Sequence, residues 1–318
     1  MGKLNKKGIV FTFISVVLVS ILIIAFLINI DNRSKNNIQV TNVKTETLNS
    51  FVKSLNSSFI PDALKVSSNQ AMISLLDYES NESIYIQDLS DYFKEVLETG
   101  NYNGEKQDGM FRENLDYRLN PALNEIKLLA QEQGAVFDYS PIDYNSIKIF
   151  QRDPWHIIVS LKFSYTLRDA KNELIWDIKN REIYSVLNVE NYRDPLYLLE
   201  SELGKLSLRI TKTPYTQREF HDINKFNDHI IKGYFAYNSG APSFIKRLKG
   251  DFSKDNNGIE SLLDPVYFYK NGLYSNADYQ FINKVLGECV DDMDSSFKLD
   301  VSHLNYYQRK SDKCKGSF

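Results

Sequence analysis

The chain has 318 residues, 42% hydrophobic and 25% charged, with 20 Tyr and 19 Phe available for a core, which excludes a disordered tail or a low-complexity segment. Its net charge of −3 at pH 7 gives no strongly basic character that would point to nucleic acid as a partner.

The first predicted element is the uncharged run from Gly8 to Ile30, inside "KKGIVFTFISVVLVSILIIAFLINI". At 1.5 Å per residue it makes about 34 Å of helix, enough to cross a bilayer. A secretory signal has an apolar core of only about 7–15 residues ending at a small-residue site, whereas here Ala25 is followed by more Phe, Leu and Ile. The run therefore reads as a transmembrane helix over 9–30. Lys3, Lys6 and Lys7 precede it, while Arg33 and Lys35, offset by Asp31, follow. That bias places the amino terminus in the cytoplasm and the rest outside, as a single-pass ectodomain with the lipid bilayer as its first partner.

Residues 31–40, with "DNRSKNN", read as a polar linker. Val43, Leu48, Phe51, Val52, Leu55 and Phe59 then recur at helical spacing, which predicts a helix from about Thr41 to Phe59, interrupted by Pro61. "PDALKVSSNQAMISLLDY" predicts a second helix with Pro61 in its first turn, "IQDLSDYFKEVLETG" a third ending at Gly100, and "NPALNEIKLLAQEQG" a fourth ending at Gly134. Residues 41–134 are thus expected to be a mainly helical region.

From Ala135 the period changes. Val159, Leu161, Phe163, Tyr165 and Leu167 alternate with polar neighbours, which predicts an antiparallel β region over 135–192 with one buried face. "RDAKNEL" is its hairpin turn. Residues 193–318 read as mixed α/β, with helices near "PLYLLESEL" and "REFHDINKFNDHIIKGYF". The expected fold class is α+β: an N-terminal transmembrane helix, a helical membrane-proximal region and an antiparallel β-sheet in the ectodomain.

Cys289 and Cys314 are the two cysteines, and an oxidising compartment invites a disulfide between them. Closing that loop would stabilise the fold by about 3.5 kcal/mol on the chain-entropy account. The four histidines are His156, His221, His229 and His303. His221 and His229 lack a third ligand at metal-site spacing, so no metal and no cofactor is expected. "DDMDSSF" places Asp292, Asp294 and Ser296 at calcium-loop spacing, but Phe297 stands where a Gly is needed and His303 where a Glu is needed. Asp251, Ser253 and Asp255 fail likewise at Asn256. Both stretches read as turns. Sequons occur at Asn32, Asn56 and Asn81. There is no phosphate-binding Gly loop, no nucleophile elbow and no Cys–His pairing in a recognised context, so no catalytic residue is assigned.

Two lysines and a glycine directly before a long apolar helix resemble the leader of archaeal type IV pilin-like proteins. The resemblance implies cleavage between Gly8 and Ile9, leaving 1–8 as a leader, and implies other pilin-like subunits as partners. Phe13 stands at the fifth mature position, where bacterial members of the family favour Glu. Further on, "YRDPLY", "GAPSFIKRLKG" and "NGIESLLD" look like blocks of uncharacterised archaeal membrane-anchored proteins with such leaders. The resemblance marks Asp194, Pro195, Pro242 and Gly258 and carries no activity with it. Physically these blocks read as Pro-initiated helix starts and Gly-ended turns.

The sequence thus leads to a membrane-anchored, extracytoplasmic pilin-like surface protein, structural or adhesive. Its alternative is an anchored hydrolase of envelope polymers, in which a deep cleft with convergent carboxylates is expected. A ligand-binding sensor is disfavoured, because residues 1–7 leave no room for a cytoplasmic signalling domain.

Overall fold

The computed structural model describes residues 37–112, 115–200, 208–263 and 273–312, with side chains from residue 44 onward. The fold is α+β with antiparallel strand pairing. The transmembrane helix in the expected fold class requires correction: among the described residues no helix is long and apolar enough to cross a membrane. The longest of them, Ile60–Glu82, carries Asp62, Lys65, Asp77 and Glu79 along its length, and such charges are costly in a hydrocarbon layer. The expected span itself, 9–30, lies outside the described residues.

The chain divides into two compact units. The first comprises Met1–Ile60, Leu123–Pro141 and Ser164–Arg181. Its helix α1 (Asn37–Ser54) begins inside the stretch expected to be a linker and runs into a π-helical turn, Leu55–Phe59. Pro61 therefore does not interrupt the helix. Proline cannot donate to the carbonyl four residues back, and its ring crowds that carbonyl. The π turn, in which the Ile60 N–H reaches Leu55 O, widens the helix ahead of the ring, and α2 (Ile60–Glu82) continues without a break. Leu48, Phe51 and Leu55 form the buried stripe.

Also in this unit, β3 (Ala135–Tyr139) pairs antiparallel with the far half of β5 (His156–Asp169), in register from Ala135↔Asp169 to Tyr139↔Tyr165. Phe137 and Tyr165 pack at 5.3 Å between ring centres. The hairpin tip is organised by Asp169, which is fully buried. It accepts hydrogen bonds from the Glu173 and Leu174 amides at 2.6 and 2.9 Å and from Lys44 Nζ at 2.6 Å. Lys44 first, and the turn amides with it, hold that carboxyl well below the usual range.

The second unit comprises Pro61–Ala122, Ile142–Phe163 and Glu182–Phe318. Helix α3 (Leu89–Thr99) is capped by Asp88, whose side chain accepts from the Asp91 amide, and buries Leu89, Tyr92, Phe93, Val96 and Leu97. A two-residue hairpin follows between β1 (Asn101–Tyr102) and β2 (Glu105–Lys106). Asn103 and Gly104 sit at φ of 50° and 81°, the left-handed pair that such a turn needs. Helix α4 (Leu119–Glu132) starts in this unit and ends in the first. Strand β4 (Lys148–Asp153) pairs with the near half of β5 (His156–Asp169), and β6 (Ile175–Asn188) pairs with β5 as well. Along β5, Val159, Leu161, Phe163, Tyr165 and Leu167 are all buried, as the alternation requires.

Beyond β6 the elements are short: α5 (Pro195–Glu200), α6 (Ile223–Ile231), β7 (Phe235–Tyr237), α7 (Phe244–Leu248), β8 (Ile259–Ser261), α8 (Asp278–Ile282), β9 (Glu288–Cys289), β10 (Lys298–Leu299) and α9 (Val301–Tyr306). None is long enough to be stable alone. A cluster of Phe220, Phe226, Ile230, Phe297, Leu299, Leu304 and Tyr307 joins α6, β10 and α9, each such buried side chain contributing about 1.5–3 kcal/mol relative to exposure.

Candidate functional site

The blocks that carry the family resemblance meet in the second unit. Asp194 precedes α5, accepting the Leu196 amide at 2.8 Å. Pro195 takes the first helical position, where a missing N–H costs nothing. The other oxygen of Asp194 accepts from Arg247 Nη1 at 2.8 Å, and Arg247 Nη2 reaches Asp278 Oδ2 at 2.9 Å and the Ile259 carbonyl. All three charged side chains are at 0% exposure. Burial works against the guanidinium's charge, but Asp194 and Asp278 more than offset it and its pKa rises. Burial also pushes both carboxyls up, Asp278 to about 6, with Arg247 opposing. Pro242, also buried, gives its carbonyl to the Ile259 amide at 3.1 Å. At Gly258 a Cβ would lie 2.2 Å from the carbonyl oxygens of Ala241 and Asn238, so no side chain fits. Asp194, Pro195, Pro242 and Gly258, linked through Arg247 and the Ile259 backbone, form a packing junction sealed from solvent.

A second buried group adjoins it on β8. Glu260 accepts from Asn238 Nδ2 at 2.8 Å, from His303 Nε2 at 3.0 Å and from Tyr307 Oη at 2.8 Å. His303 donates its other ring nitrogen to Asp300 at 2.6 Å. Asp300 caps α9 through the Ser302 and His303 amides and accepts from Ser275 Oγ. A histidine oriented between two carboxylates is the arrangement of an acid–base catalyst. Three facts separate it from one: the ring is 2% exposed, both nitrogens are taken, and the imidazole is held charged. Burial lowers its pKa, but the Glu260 charge and the Asp300 hydrogen bond overcome that and lift it to about 10. A general base works near the ambient pH. This imidazolium has no proton to take up.

The accessible counterpart is a cleft of about 380 Å³. Trp155 enters it from the β4–β5 turn, fixed by its amide on Asp153 Oδ1 at 2.9 Å and by the Val189 amide on its carbonyl at 2.9 Å. His156, read from sequence as a packing or edge residue, pairs with the same Asp153 at 2.8 Å. Tyr215 is held through its hydroxyl on Asp228 at 2.7 Å, and Tyr237 stands 49% exposed at the end of β7. Tyr306 closes the far side, donating its hydroxyl to the Tyr237 carbonyl, while Gln217 Nε2 donates to the Tyr306 carbonyl at 3.0 Å. Lys212 Nζ lies 5.4 Å from the centre of the Trp155 ring. Among the described residues no Asp or Glu lines this cleft.

A second cleft of about 370 Å³ is polar, with Asp77, Glu82, Glu105, Asp108, Lys106, Arg112 and Arg193 in its lining. Asp77 is clasped by Arg112 at 3.2 Å and, from the other side, by Arg193. Charges of both signs meet there.

Of the remaining sequence candidates, Gly8 and Ile9 lie outside the described residues. Cys289 is disulfide-bonded, and Cys314 lies outside the described residues. Asp294 accepts the Ser296 amide and hydroxyl, and Asp251 the Ser253 amide, both as local turns. His221 is exposed, whereas His229 is buried against Phe220 and Tyr307, with burial lowering its pKa to about 3. Sequence reasoning missed the junction around Arg247, the group around Glu260 and the aromatic cleft. The only local signal was "DVSH", in which Asp300 caps the helix that carries His303. Comparisons with protein-family models, with curated proteins and with solved structures return no match.

Proposed function

We propose that this chain is an extracytoplasmic surface protein of pilin-like type, structural or adhesive, whose second unit recognises an envelope polymer without transforming it. The observation that carries this reading is the aromatic cleft, accessible and, among the described residues, without a carboxylate in its lining. Polysaccharide cleavage normally needs two carboxyl groups flanking the scissile bond, whereas recognition needs flat apolar faces and a few fixed polar groups. The disulfide at Cys289 agrees with an oxidising compartment. The alternative, an envelope hydrolase, would have to draw on the polar cleft, where Asp77 is engaged by two arginines. Co-sedimentation of the purified chain with insoluble polysaccharides, with released reducing ends assayed on the same samples, separates the two. Retention without new reducing ends is expected; release of sugar fragments would replace adhesion with hydrolysis.

A further inference from the structure

Resting on that reading, we infer that the cleft binds an acidic saccharide, with Lys212 pairing with a sugar carboxylate and the rings of Trp155 and Tyr237 covering the sugar's apolar faces.

The charge of the site argues for the acid. Among the described residues Lys212 is the one charged residue in the lining, and its ammonium rests over the Trp155 ring with no ion pair to any of them. The Glu190 carboxylate accepts the Lys212 backbone amide at 3.1 Å. Lys225, which approaches the Tyr215 ring from 5.8 Å, is neutralised by Glu219 at 2.6 Å. One uncompensated positive charge suits one carboxylate per site, as on a uronic acid residue. A polyphosphate chain or a nucleic acid would call for a track of cations.

The shape argues for the sugar. About 380 Å³ is at the small end of ligand pockets, which run from about 300 to 1,000 Å³, and holds a short saccharide segment. Aromatic rings whose polar ends are already anchored offer rigid apolar faces at little entropic cost. Tyr215 is anchored through Asp228 and Tyr306 through the Tyr237 carbonyl. Polar atoms of Thr213, Gln217 and Ser239 border these faces and can meet sugar hydroxyls. Lys212 has two alternative partners: the indole face when the cleft is empty and the carboxylate when it is filled. Its transfer uncovers Trp155 for the sugar ring, which ties binding to the indole's environment.

Trp155 and Trp176 are the two tryptophans of the chain, so a full-length W176F variant reports from the cleft alone. Its fluorescence should be titrated with an oligosaccharide of galacturonic acid and with the corresponding oligosaccharide of galactose. A saturable change with the acidic oligomer is expected, with at least tenfold weaker binding of the neutral one. Lys212→Met should reduce the acidic oligomer to the neutral level, Lys212→Arg should retain most of the affinity, and added salt should weaken only the acidic interaction. Circular dichroism checks that each variant is folded. Equal binding of both oligomers, unchanged in Lys212→Met, would overturn the role of Lys212 while leaving polymer recognition in place. No saturable response to either oligomer would overturn the saccharide and the adhesive reading together, and a response to an aromatic peptide alone would overturn the ligand class.

Discussion

Within the second unit, the histidine set between two carboxylates is sealed, whereas the aromatic cleft, open to solvent, has no carboxylate or imidazole in its lining among the described residues. Asp194, Arg247 and Asp278, with Glu260, His303 and Asp300 beside them, carry charge at or near zero exposure. The aromatic cleft carries one charged side chain among the described residues, Lys212, and stands open. The difference teaches that charge here does structural work. Short elements such as β8 and α7 cannot hold themselves, and buried ion pairs fix the register in which they meet. Asn238 touches both regions, lining the cleft and donating to Glu260.

The sharpest way to break the contrast is Arg247→Met. It leaves Asp194 and Asp278 buried without a counter-charge and should cost about 3–5 kcal/mol, read from a denaturant midpoint. If stability held, the buried charges would not be the scaffold. Gly258→Ala comes next. With backbone oxygens 2.2 Å from the new Cβ, the turn must shift, and a loss of about 1–3 kcal/mol is expected, measured as a fall in Tm.

Two histidines sharpen the contrast through pH. His303 has its pKa raised from 6.5 to about 10 on folding, so its stabilisation is full below pH 6.5 and fades as pH rises towards about 10. His229 has its pKa lowered from 6.5 to about 3, so its contribution is full above pH 6.5 and fades as pH falls towards about 3. Stability curves of His303→Gln should lose the alkaline slope and keep the acid one; His229→Phe should do the reverse. Lys44→Met, in the first unit, takes the ammonium from an Asp169 that stays buried but keeps the Glu173 and Leu174 amides, and a smaller fall in Tm than that of Gly258→Ala is expected. Lys212→Met is the smallest, within about 0.5 kcal/mol in stability, although it is the variant expected to change binding most.

How much of this was legible in the sequence depended on the distance between the residues that decide each element. Helix α3 was readable because its cap, apolar face and terminating Gly100 lie within one segment. Strand β5 was readable because alternation is a local property of one face. The π turn was not, since proline's usual effect is to stop a helix and only the fold shows a turn widened to accept it. The resemblance placed weight on Asp194, Pro195, Pro242 and Gly258, and they do converge, yet on a packing junction that seals its charges away from solvent. Asp194 meets Arg247 across 53 residues and Glu260 meets His303 across 43. No periodicity records such pairings. The cleft was the hardest to foresee, because Trp155, Tyr215, Tyr237 and Tyr306 come from four separate elements and each alone reads as an ordinary core or surface aromatic.

The His303 group is a sealed scaffold and not a proton-transfer site. Its most direct test is an NMR titration of the His303 ring nitrogens in the folded chain, between about pH 5 and pH 8, where an ordinary imidazole changes charge. An imidazolium is expected throughout, with both nitrogens protonated and slow to exchange with solvent. A midpoint near the ordinary 6.5, with rapid exchange, would contradict it and return His303 to the list of catalytic candidates.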